Sequence, residues 1–81
     1  MPSYLIESYA ANGAVERERE RARLAAELGD GIRYIRTTFL PGDETLLHLF
    51  EAPSVEALRS AGRRAALHYE RIVEAQEEET P

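Results

Sequence analysis

Eighty-one residues form one domain and leave no room for a second core. Hydrophobic residues make up 43% of the chain and charged ones 31%, with a net charge of −5 and all ten basic residues arginine. The absence of cysteine excludes disulfides, thiolate metal sites and thiol nucleophiles. An acidic domain repels phosphate backbones, so nucleic acid is set aside. Nothing reads as a signal peptide, and no apolar run approaches the ~18 residues of a membrane span. A soluble, cytoplasmic protein is the expectation.

In chain order, residues 4–9 (YLIESY) are aromatic and β-branched and read as a strand, broken by Asn12-Gly13. Residues 14–28 are strong helix formers, with Gly29 as a C-terminal stop. Val15, Ala22, Ala25, Ala26 and Leu28 form a thin apolar stripe on that helix. Its run of alternating glutamate and arginine, VERERERAR (15–23), carries opposite charges three apart and reads as a solvated face.

Residues 32–40 (IRYIRTTFL) and 45–51 (TLLHLFE) form a hairpin, with Pro41-Gly42 suited to the centre of a type II turn. Ser54 is the expected N-cap of a second helix, with Glu56 in its first turn and Val55, Leu58, Ala61, Gly62 and Ala65 as its buried stripe. Residues 70–76 are the last strand. A domain over 1–76 is followed by an acidic, disordered tail at 77–81.

The order β-α-β-β-α-β, with right-handed crossovers, specifies an α+β ferredoxin-like sandwich. It has a four-stranded antiparallel sheet in the order 4-1-3-2 and two helices on one face. Alternation assigns Ile6, Ile35, Leu47, Leu49 and Val73 to the helix-covered side. It assigns Leu5, Glu7, Tyr9, Tyr34, Arg36, Leu46, His48, Phe50, Ile72 and Glu74 to the other, and a one-residue bulge would exchange the faces of the strand that carries it. That second face is too apolar to be left bare, and a second copy would cover it as a two-fold dimer. The space between two such sheets is a candidate cavity for a small ligand or a divalent metal.

His48 and Glu7 are the candidate proton-transfer or metal pair, and Arg36 lies on the strand beyond. Tyr9, Tyr34 and Phe50 complete the expected ligand wall. A metal needs three or four ligands, and the chain has no HxH or HExxH spacing. His68 reads as a solvent-exposed loop residue. Tyr4, Tyr9, Tyr34 and Tyr69 read first as packing residues with wet hydroxyls.

Three segments, PSYLIES (2–8), EAPSVEALRSAGRRA (51–65) and LHYERIVE (67–74), resemble a family of small ferredoxin-like proteins classed as a domain of unknown function, family 4242. Some of its members are described as nickel-binding. The resemblance implies the same fold, a homodimer forming a dimeric α/β barrel, and nickel as a candidate cofactor. Glu7 and Glu51 match the family pattern. Arg36 stands where that pattern has a histidine, His48 where it has a small or sulfur-bearing residue, and Ala66 where it has a glycine. The chain also resembles, more faintly, dimeric α/β-barrel proteins that bind or oxidise small aromatic molecules.

These residues point to a small homodimeric binding protein whose inter-sheet cavity takes a divalent metal or a small acidic or phenolic ligand. Inside a cavity, the fixed charge of Arg36 disfavours Ni²⁺ and favours a carboxylate or enolate. The alternatives are a cofactor-free enzyme of isomerase or monooxygenase type, with His48 as base and Arg36 holding the anion, and a structural dimer without ligand.

Overall fold

The computed structural model describes residues 1–76; the acidic tail expected at 77–81 lies outside them. Strand β1 (Ser3–Tyr9) leads through a short 3-10 turn (Asn12–Ala14) into helix α1 (Val15–Leu28). Strands β2 (Arg33–Leu40) and β3 (Thr45–Glu51) form the hairpin, followed by helix α2 (Val55–Arg64) and strand β4 (Arg71–Ala75). The sheet order is β2-β3-β1-β4 with every pair antiparallel, as the sequence predicts.

Local chemistry explains the boundaries. Ser54 caps α2, its hydroxyl accepting from the Ala57 N–H at 3.1 Å. The helix ends in a Schellman arrangement: the Leu67 N–H donates to the Gly62 carbonyl and the Ala66 N–H to that of Arg63. Ala66 carries the left-handed turn itself, with φ 57°. On α1, Arg19–Glu16, Arg21–Glu18 and Arg23–Glu20 pair three residues apart.

Two expected turns differ. Gly42 is not left-handed, so Pro41-Gly42 does not form a type II turn. Instead the Asp43 N–H donates to Leu40 and the Glu44 N–H to Pro41, and positive φ falls on Glu44 at 50°. Gly29 does cap α1, but with an extended backbone, and the left-handed residue is Gly31. Gly29 is favoured by packing: a Cβ there would press on the tip of the Ile32 side chain and lie 3.0 Å from Ala61 Cβ.

The core lies between the helices and one face of the sheet. Tyr4, Ile6, Phe50, Ala22, Ala25, Leu58 and Ala61 pack together there, with Tyr34 and Ile72 at its margin. Leu28, expected in the α1 stripe, is 41% exposed, while Glu18, nearer the start of the helix, is buried with Ala22 and Ala25. The shortest extent of the molecule is 17 Å, the thickness of one helix layer on one sheet.

Candidate functional site

Pairing register settles which side chains share the uncovered face. Tyr34 stands opposite Phe50, but Arg36 stands opposite Leu49, so Ile35 is an extra residue in β2. Three cross-strand rows then run over the open face: Ala75–Ser3–Glu51–Arg33, Val73–Leu5–Leu49–Arg36, and Arg71–Glu7–Leu47–Thr38. The covered face carries Glu74–Tyr4–Phe50–Tyr34 and Ile72–Ile6–His48–Thr37.

This corrects the alternation reading in three strands. In β1 the assignment holds, with Ile6 inward and Leu5, Glu7 and Tyr9 outward. In β3 and β4 it is reversed: Leu46, His48, Phe50, Ile72 and Glu74 share the helix side, and Leu47, Leu49 and Val73 the open side. In β2 the bulge leaves Arg36 outward but turns Tyr34 inward. The physical reason is that β3 and β4 carry apolar residues on both faces, and β4 a charged one on each as well, so alternation does not discriminate between the faces. Phe50 packs into the core under the helices, and Leu46 and Phe50 are both fully buried.

His48 is therefore inside the core and fully buried. Its Nδ1 lies 2.7 Å from Thr37 Oγ1, which in turn bonds the Tyr34 hydroxyl. The bulge makes this contact, because it brings Tyr34 and Thr37 onto the same side. Nε2 is buried without a partner. Burial pushes the imidazole from 6.5 down to about 4, and the nearby Arg19 guanidinium adds to the effect, so His48 is held neutral.

Glu7 and His48 are thus on opposite faces of adjacent strands, and within one chain they cannot share a proton or an ion. Nor does His48 reach the face that carries Arg36, so the expected base and anion-holder do not meet. Among the described residues no three histidine, aspartate or glutamate side chains are placed to hold a metal ion. The nickel centre implied by the resemblance does not fit these residues. Tyr34 and Phe50 likewise leave the expected ligand wall and pack against each other under the helices, ring centroids 5.4 Å apart.

The open face keeps Glu7, Tyr9 and Arg36. Glu7 receives Arg71 Nε at 3.3 Å on Oε2 and the Tyr9 hydroxyl at 3.3 Å on Oε1. The Glu7 carboxylate raises the Tyr9 phenol above its ordinary value of 10.0. Beside this cluster is a depression of about 290 Å³ lined by Leu5, Arg36, Thr38, Leu47, Leu49, Ala75 and Gln76. Sequence reasoning placed Leu47 and Leu49 on the wrong side and passed over Thr38, Ala75 and Gln76. Only the bulge at Ile35 and the β3 register could have found them. His68 is exposed, as expected, with Nδ1 3.8 Å from the buried Glu18.

No family model and no curated protein matches the chain. Among solved structures it is similar to the crystal structure of SCO4226 from Streptomyces coelicolor A3(2), with 15% identity and a TM-score of 0.72 over 95% of this chain and 99% of that one. At that identity the likeness supports the α+β fold and carries nothing about activity.

Proposed function

We propose that the chain works as a cytoplasmic homodimeric binding module, in which the open faces of two sheets meet and enclose a cavity for a small molecule. The observation that supports this reading is the composition of that face. Half-buried Leu5 and Leu47 run across its centre beside the buried Leu49, Val73 and Leu40 remain 38% and 40% exposed, and a concave site lies among them. Both helices sit on the opposite side, so no helix covers Leu5, Leu47, Val73 or Leu40; Leu49 is buried by its neighbours within the sheet. An antiparallel sheet with a solvated face normally alternates polar residues there; this one presents aliphatic side chains framed by the Glu7–Arg71 ion pair and Arg36.

A second copy suits such a face because a two-fold contact is self-complementary: the same leucines cover one another and the charged margins lie outside them. Two concave sites facing each other then give a volume in the range of small-ligand pockets. The dimer is also the feature implied by the family resemblance, and no described helix is long and apolar enough to cross a membrane.

Sedimentation equilibrium tests the proposal. The wild-type chain is expected to sediment as a dimer. Leu47→Glu, which sets a carboxylate at the centre of the open face, is expected to give a folded single chain, while Leu24→Glu on the outer side of α1 leaves the dimer intact. A wild-type single chain at high micromolar concentration, or a dimer indifferent to Leu47→Glu, would overturn it.

A further inference from the structure

The depression on the open face runs from one edge of the sheet to the other. Gln76, directly after β4, lines one side, and Arg36 and Thr38 on β2 line the opposite side, with Leu5 and Leu49 between them. Gln76 is also the last described residue, and the sequence continues Glu77-Glu78-Glu79-Thr80-Pro81. Three consecutive acids therefore begin at the rim of a hollow whose far wall carries a guanidinium.

We propose that this acidic C-terminal segment is the occupant of the depression: it turns back across the open face of its own chain and sets a glutamate on Arg36. The chain is long enough to do so. Strands β4 and β2 are the two edges of the sheet, three strand spacings apart, or about 14 Å at about 4.8 Å each. Three extended residues cover about 10 Å, and the side chains of Glu79 and Arg36 supply the remainder.

Charge selects Arg36 among the guanidiniums of this face. Arg33 is paired with Glu51 and Arg71 with Glu7, each at 3.3 Å. Arg36 is engaged within the chain as well, and its five N–H donors serve more than one acceptor. A carboxylate meets such a group through two parallel charge-assisted N–H···O bonds. A segment anchored in this way crosses Leu5 and Leu49 and fills the hollow that a small molecule would enter, so it acts as a built-in strap on the cavity. The contact lies within one chain; it goes beyond the dimer reading and does not depend on it.

Backbone ¹⁵N relaxation on the full chain tests the proposal. In the wild type, order parameters at 77–79 are expected above about 0.6, the bound below which a backbone is flexible, and below it in Arg36→Gln. Arg33→Gln, on the same strand, is expected to leave them unchanged. The triple variant Glu77→Gln, Glu78→Gln, Glu79→Gln alters no described residue and is expected to reproduce the loss, which carries the test should Arg36→Gln fail to fold. Values below that bound in the wild type, or values that survive either Arg36→Gln or the triple variant, overturn the proposal. So does a loss of order on dilution, which would place the segment on a second copy, and so does an equal loss in Arg33→Gln.

Discussion

Lowering the pH should destabilise this protein through one side chain, His48. The folded imidazole titrates at about 4, because it is buried and lies near Arg19, whereas in the unfolded chain it titrates near its ordinary 6.5. At pH 7 both states hold it neutral, and the burial has no pH-dependent effect. As the pH falls through 6.5, the unfolded chain gains a proton that the folded chain refuses. Stability is therefore lost with falling pH, until the folded imidazole protonates as well near 4. Each pH unit in that window is worth about 1.4 kcal/mol, so the loss is roughly 2 kcal/mol at pH 5 and about 3 kcal/mol in full. The non-titrating variant His48→Asn isolates this effect from the carboxylates that titrate in the same range. Urea unfolding followed by circular dichroism, at pH 7 and pH 5 and one protein concentration, should show the wild type losing about 2 kcal/mol more than the variant. Equal losses in the two proteins would refute the reasoning, since they would mean that the folded His48 titrates like an exposed one.

Two further expectations concern the backbone. Ala66 sits at φ 57° in the Schellman turn after α2, a conformation that penalises a Cβ. Ala66→Gly should raise stability by about 1 kcal/mol, seen as a rise in Tm of roughly 4–8 °C. Gly29→Ala would set a Cβ against Ile32 Cδ1 and Ala61 Cβ. It should cost roughly 1–3 kcal/mol by chemical denaturation, with partial recovery in the Gly29→Ala, Ile32→Val double variant, which removes the nearer of the two atoms.

Element order and boundaries are legible because they rest on local signals, and strand order because right-handed crossovers constrain the topology of that element order. The Ser54 cap, the helix-forming run at 14–28 and the hairpin lengths do not depend on tertiary contacts. Even the left-handed turn at Ala66 was visible as a departure from the glycine expected there. The facing of the strands was not legible. In β3, Leu46, Leu47, Leu49 and Phe50 put apolar side chains on both faces, so alternation alone does not fix the facing and places His48 outward. The structure instead satisfies one nitrogen of His48 in the core through Thr37, a contact that exists because of the bulge at Ile35. Nothing in the sequence around Ile35 announces that extra residue. Glu18 is a second case: its place in a run of alternating charges suggested solvent, yet it is buried, with Arg21 at 3.3 Å and His68 at 3.8 Å.

For the candidate site the consequence is a regrouping. His48, Tyr34 and Phe50 belong to the core under the helices. Arg36, Leu5, Leu47, Leu49 and Thr38 belong to the open face and its cavity. The chemistry left on that face is apolar contact with charged groups of both signs, Arg36, the Glu7–Arg71 pair and the Arg33–Glu51 pair, while the His48 imidazole lies on the other face.

Isotope-filtered NMR on a sample refolded from equal parts of ¹³C-labelled and unlabelled chain reads the open face most directly. Intermolecular contacts are expected among the methyl groups of Leu5, Leu47, Leu49 and Val73. Contacts confined to Leu24 and Leu28 on α1, or none between chains at all, would contradict a dimer built on this sheet.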